Sequence, residues 1–321
     1  MLSVQRVRGA FGFQYNAKNG SGQREYENFL SNDENGLTGF KKTDKMSTRN
    51  RISPAGCPPL NDKTGDVLYE NQDRCGLFLQ PVYLSGVDFV CVPLKIVTDD
   101  GEYQDTAELD AVGMAQTLRS YKGKTGTSCP NVADWLAAYE GAEEVFVVTI
   151  TGTLSGSYNA AQLAAEEYRQ EHEGARVFVL DSLSAGPECR LLAERLAALV
   201  QAGCAFDDAA ERILAYHRHT HLLFSLESLA NLARNGRVKP AVAAVARMLG
   251  IRVIGQASEA GELEVLCKTR GEHGALERIV LEMKGRGFVS GRVHIAHCGN
   301  PDAADRLKRC CTRCSRGRRW M

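Results

Sequence analysis

The sequence has no charge of either sign to spare. Its 39 Lys and Arg residues match its 39 Asp and Glu, so no global field draws it to nucleic acid or an anionic membrane, and partners must be recognised at a local site. It also lacks long apolar runs. Stretches such as LDAVGMAQTL and VFVVTI fall well short of the roughly 20 residues a helix needs to cross a bilayer. The opening residues, MLSVQRVRGAFGFQYNAKNGSGQ, contain no signal-peptide core, and a cytoplasmic protein with at most transient membrane contact is expected. A paired cysteine framework is missing too. The count is odd, at 11, and Cys91, Cys129, Cys189, Cys204 and Cys267 stand singly in apolar or helical surroundings, which points to reduced thiols. Cys310, Cys311 and Cys314, in the basic tail KRCCTRCSRGRRWM, amount to half a zinc site with no second Cys/His pair of ligand spacing nearby, so no metal is expected.

What is present is enough apolar material, 44% of 321 residues, for one large or two modest cores, and two domains are expected. Residues 1–68 are rich in Asn, Gly, Lys, Asp and Ser without a sustained period, the composition of a disordered or foreign segment, and no fold is assigned to them. From about residue 85 strand-like and helical segments alternate: VDFVCVPLKIV, then TAELDAVGMAQTLRSY and NVADWLAAYEG, then EEVFVVTI, SGSYNAAQLAAEEYRQEH, ARVFVLDS, and a helix closed by Gly203. That alternation predicts an α/β domain over 69–215 built on a parallel, doubly wound sheet. A second, α+β domain is expected over 216–309. There FSLESLANLARNGRV and PAVAAVARMLG read as helices and IRVIGQASEAGELEVLCKTRG as a hairpin turning at Glu259-Ala260-Gly261; a helix over 271–286 and the strand RVHIAHCGN follow. Residues 310–321 read as an irregular basic tail.

The chemistry concentrates where EEVFVVTI runs into a turn bearing Thr151, Thr153, Ser155 and Ser157. A helix start at the carboxyl end of a parallel strand presents free N–H groups and is a natural anion seat. The plainer reading is that Ser155 only caps the helix. A nucleophile is less well supported, because a hydrolase elbow needs Gly-x-Ser-x-Gly and Ser155 sits in Gly152-Thr153-Leu154-Ser155-Gly156. No Gly-Lys-Ser/Thr tripeptide near the turn supports nucleotide hydrolysis. A second pair, Thr127 and Ser128, precedes Cys129-Pro130 and the next helix, with Pro130 suited to a first helical turn. Two such corners can converge on one carboxylate as donors, with no catalytic residue among them.

GTSCP (126–130), TLSGSYNAA (153–161), VFVLDS (177–182), LESLANLARNGRV (226–238) and IAHCGNPDAADRL (295–307) occur in an order that resembles the DegV family of bacterial fatty-acid-binding proteins. The resemblance spans about residues 85–309. It implies a two-domain protein that holds a long-chain fatty acid, tail in an apolar tunnel and carboxylate between the domains, and offers it to a separate fatty acid kinase catalytic subunit. It further implies that Thr127, Ser128, Ser155 and Gly156 hold the carboxylate and that Arg237 lies toward the partner-facing surface, although a helix-ending cation is the plainer reading of Arg237. Neutral donors suit a carboxylate that must be satisfied yet stay reachable. The alternative function is a serine-dependent hydrolase or transferase using Ser155.

The sequence departs from the family pattern at several places. Cys129 stands where Gln is common, Ser157 where Thr is usual, and Asn235 where the first Gly of a Gly-Gly-Arg motif stands. The family's first strand with its Asp-Ser turn and its closing His-x-Gly-Pro-Gly segment do not appear. We expect that both ends are read out of frame. Permissible codons for YENQDRCGLFLQP (69–81) yield MKIRIVADSSSNL when one base is dropped, and the tail can be recoded as ALLHALFPGAEVD. A chain without a central parallel strand exposes apolar surface and unpaired backbone, so poor stability and weakened ligand binding are expected.

Overall fold

The computed structural model describes residues 11–16, 87–106, 108–229, 232–233, 235–238 and 250–315. The helix expected in PAVAAVARMLG and the recoded segment 69–81 lie outside these residues. In the first domain, β2 (Lys95–Thr98), β3 (Gly101–Gln104) and β4 (Thr125–Ser128) form one antiparallel sheet in the order β3-β2-β4. Between β3 and β4 runs α1 (Ala111–Ser120), followed after β4 by α2 (Val132–Tyr139). β5 (Glu144–Thr149) and β6 (Arg176–Asp181) pair in parallel across α3 (Ser157–Glu171). Helices α4 (Pro187–Gln201) and α5 (Phe206–His217) then lead out of the domain.

The expected doubly wound parallel sheet is therefore corrected in extent: among the described residues only β5 and β6 run parallel. The overlooked signal is the two-residue turn Asp99-Asp100, which reverses β2 into β3 with Thr98 paired to Gly101. Side chains expected to be buried in a parallel sheet, such as Phe146, Val148 and Phe178, are only half-buried.

Local sequence accounts for the helices. In α3, Ala161, Ala164, Ala165 and Tyr168 recur at helical spacing and are all but fully buried. The small alanines admit α2 closely enough for the Tyr139 hydroxyl to donate to the Ala161 carbonyl at 3.2 Å. α4 opens with Pro187 in its first turn, where a missing N–H costs nothing, and ends at Gly203 with φ +72°.

The second domain is a five-stranded antiparallel sheet in the order β10-β1-β7-β8-β9. Its strands are β1 (Phe11–Asn16), β7 (Thr220–Leu226), β8 (Ile251–Ala257), β9 (Leu263–Arg270) and β10 (Val293–His297). Helices α6 (Gly271–Gly285) and α7 (Pro301–Ser315) pack on it, burying Leu223, Ile254, Ile279, Val293, Ile295 and Leu307. Four sequence expectations are corrected here. Phe224-Ser225-Leu226 ends a strand and does not start a helix, because THLLFSL is buried at nearly every position in the sheet. Residues 310–315 are helical, and Cys311 is fully buried beside Met283. Phe11–Asn16 forms a strand within a segment to which no fold was assigned. Cys204 and Cys298 are disulfide-bonded, against the expectation of reduced thiols.

Candidate functional site

β5 delivers the chain to the hydroxyl turn. Thr151 is fully buried, and its N–H donates to the Ser184 carbonyl at 2.8 Å. The turn closes on itself, with the Leu154 and Ser155 N–H groups both reaching the Thr151 carbonyl, at 3.1 and 3.2 Å. From the end of β6, Asp181 accepts the N–H of Gly152 at 3.1 Å and of Leu183 at 3.0 Å. A carboxylate thus ties the two parallel strand ends together. Hydroxyls are left along the top: Thr151 Oγ1 lies 3.1 Å from Thr153 Oγ1, and Ser155 Oγ 2.9 Å from Ser157 Oγ.

The plainer reading of Ser155, as a cap, is realised. Its Oγ accepts the Ser157 N–H at 3.2 Å and so caps the first turn, while Gly156, at the capping position just before α3, supplies no side-chain cap. The remaining N-terminal amides of α3 carry the positive end of a 15-residue helix. Ser155 meets another serine hydroxyl where a nucleophile would need a base. The buried thiol behind this turn is no nucleophile either: burial pushes Cys189 up to about 12, far from a thiolate at neutral pH.

Thr127 and Ser128 lie at the end of β4, with Thr127 in register with Ile96 of β2. They are not part of the helix start. Asn131 caps α2 through a capping box with Asp134, each accepting the other's N–H at 2.9 Å, and buried Pro130 precedes the cap instead of occupying the first turn. That relieves the Thr-Ser pair of capping duty. Ser128 Oγ is exposed and donates to the Cys129 carbonyl at 3.3 Å. The two corners meet, because Cys129 Sγ lies 3.0 Å from where a Cβ on Gly156 would stand. Among the described residues, no group of three or more His, Cys, Asp or Glu is placed to hold a metal.

The model of the DegV family of uncharacterised proteins matches residues 77–317. The chain belongs to the DegV family. A DegV domain-containing protein of Streptococcus pneumoniae is 41% identical over 219 residues, 68% of this chain and 78% of its own. Among solved structures, a DegV family protein from Eubacterium eligens loaded with heptadecanoic acid superimposes with a TM-score of 0.70 at 40% identity, covering 72% of this chain and 83% of that one. The Fatty Acid Kinase (Fak) B3 protein of Streptococcus pneumoniae, loaded with linoleic acid, gives 0.70 at 39% identity, covering 73% and 83%. The fold is the α/β, two-domain DegV fold.

Within that fold, the second domain touches the hydroxyl turn twice. Thr153 Oγ1 donates to the Gly261 carbonyl at 2.6 Å, at the hairpin between β8 and β9. Arg237 Nε donates to the Leu154 carbonyl at 3.3 Å, and its Nη1 to the Asn235 carbonyl at 2.6 Å. The half-buried guanidinium therefore sits against the residue next to Ser155, placing a cation at the DegV turn. Gly261, Asp181 and the cap Asn131 are the residues that sequence reading missed. Asp181 was signalled by its place at the carboxyl end of a β-strand, and Gly261 by nothing beyond its turn.

Proposed function

We propose that this chain binds one long-chain fatty acid. Its carboxylate is held by Thr127, Ser128, Ser155 and the backbone at Gly156, its tail runs into the apolar interior, and the acid is presented to a separate fatty acid kinase catalytic subunit. In this reading the chain itself performs no chemistry and works in the cytoplasm. The observation that carries it is the meeting of two hydroxyl-bearing corners at Cys129 and Gly156, with a helix N-terminus and Arg237 beside them. Neutral donors, a helix dipole and one cation stabilise a carboxylate without giving it a reaction partner. The lipid-loaded relatives from Eubacterium eligens and Streptococcus pneumoniae support the choice of ligand, and the name Fatty Acid Kinase B3 supports the choice of partner.

Native mass spectrometry of the purified protein tests the proposal. A co-purified fatty acid is expected, with at least about tenfold weaker retention when Thr127 and Ser155 are both changed to Ala, given the strength of hydrogen bonds to charged groups. A protein that arrives empty and ignores added lipid overturns it. Ester hydrolysis abolished by Ser155→Ala would instead establish the hydrolase alternative.

A further inference from the structure

Two hydroxyls of the DegV turn are already committed within the fold. Thr153 has one hydroxyl proton to give, and it goes to the Gly261 carbonyl at 2.6 Å. In the 3.1 Å pair between Thr151 Oγ1 and Thr153 Oγ1, Thr151 is therefore the donor. The relay runs from Thr151 to Thr153 to Gly261, out of the first domain and into the tip of the β8–β9 hairpin.

That tip is tied together as a stiff finger. The Gly261 N–H donates to the Ser258 carbonyl and the Ser258 N–H to the Glu262 carbonyl, both at 2.9 Å. Ser258 Oγ accepts the Glu262 N–H at 3.1 Å. Glu259, Ala260 and Glu262 are exposed, whereas Gly261 among them is buried, so the finger enters the first domain by a single residue. It comes to rest against Thr151 Oγ1 and the Cα of Leu183.

The surface that receives the finger is not relaxed. Among the described residues, Leu183 is the one non-glycine residue with positive φ, at +48°, a left-handed conformation that is unfavourable for its side chain. It is held there by its N–H bond to Asp181 at 3.0 Å and by the finger beside it. Next in the chain, Ser184 is buried and its Oγ has no hydrogen-bond partner, a second unfavourable contribution to the seated arrangement. Strain of this kind persists only where the surroundings enforce it, and it gathers at switches. Against it stands the bond from Thr153 to Gly261.

We infer that the β8–β9 hairpin is a strained latch on the headgroup turn. Seated, it fixes Thr151 and Thr153; withdrawn, it lets Leu183 relax and the turn loosen. The route to the ligand is short, because the Thr151 carbonyl receives the Leu154 and Ser155 N–H groups, so whatever fixes Thr151 fixes Ser155. The latch rests on the fatty acid reading above, in which Ser155 holds the carboxylate. Thr151 and Thr153 are then positioning residues, and the seated hairpin slows release of the acid.

Release of a fluorescent fatty acid from the full chain, followed by stopped flow against excess oleic acid, tests the latch. Thr153→Val keeps the shape and removes the donor, and release is expected to quicken roughly three- to tenfold, the worth of one hydrogen bond. Thr153→Ser restores the hydroxyl and with it the wild-type rate. Leu183→Asn places a residue that tolerates the left-handed region at the strained position and is expected to slow release roughly threefold. Slower release does not arise from a damaged fold. Equal rates in the wild type and all variants, or quicker release from Leu183→Asn, overturn the latch and leave the lipid reading standing. If no fatty acid binds, the lipid reading fails, and amide hydrogen exchange decides on the latch alone. In Thr153→Val, exchange over 150–155 is expected to accelerate roughly three- to tenfold, while 144–149 and 176–181 keep their protection and show that the first domain is folded. Unchanged exchange over 150–155 overturns the latch.

Discussion

At the scale of single residues the site is a set of short side chains whose positions are dictated by backbone. Gly261 shows the tolerance. Its φ is +78°, and a Cβ there would stand 2.1 Å from Thr151 Oγ1 and 3.2 Å from the Leu183 Cα. Gly261→Ala is expected to destabilise by about 1–3 kcal/mol through backbone strain and overpacking, visible as a lower urea midpoint, and to weaken fatty acid retention in the same preparation. Arg237→Ala removes the donor to Leu154. It should weaken lipid binding about three- to tenfold, the worth of one charge-assisted bond at a half-exposed position, with little change in the thermal midpoint; titration with a fluorescent fatty acid reads the first and a thermal melt the second. The hydroxyls of this site were legible in the sequence because Thr127, Ser128, Ser155 and Ser157 cluster at strand ends. Arg237 was visible as a cation, but its seat on the Leu154 carbonyl was not, since 83 residues separate the two and no local pattern encodes such a contact.

Elements show where periodicity informs and where it fails. Helices α2, α3, α4 and α6 follow from apolar spacing and end signals, as do strands β5, β6 and β10 and the β8–β9 hairpin. THLLFSL was not separated from the helical pattern behind it, because a short apolar run has no period of its own. β4 was not read as a strand at all, since its four residues, TGTS, carry no apolar alternation and its pairing is set by tertiary contacts. Asn131 offers a test at this scale. Asn131→Ala removes one half of the capping box and should cost about 1 kcal/mol of stability, measured by chemical denaturation. Because this cap lies three residues beyond Ser128, lipid retention should fall in the same variant.

For the whole molecule, the interface between α4 and β10 is an electrostatic joint. Glu194, nearly buried, accepts from Arg190 Nε at 2.8 Å, lies 3.0 Å from His294 Nε2, and takes a further bond from Arg292 at 3.2 Å. Burial alone would raise this carboxyl, but the bonds to His294 and Arg190 outweigh it and hold it at about 2, below the ordinary 4.5. A depressed carboxyl stabilises the fold fully above its unfolded value. That contribution is therefore present above about pH 4.5 and is lost as the pH falls toward 2. Glu194→Gln should cost about 3 kcal/mol at neutral pH, the typical penalty for breaking a buried pair, and should flatten the loss of stability below pH 4.5; urea titrations across pH 2–7 measure both. The two-stranded parallel pair, with Phe146 and Phe178 half-buried, leads us to expect a thermal midpoint below that of the Streptococcus pneumoniae relative measured alongside.

The second domain reaches the first at Thr153 and Leu154, inside the same short turn that carries Ser155. In the proposed function, the seating of one domain on the other and the hold on the carboxylate therefore share the same stretch of backbone. Under that proposal, a protein that docks across the seam and levers the Gly261 hairpin away would loosen a bound lipid without touching it.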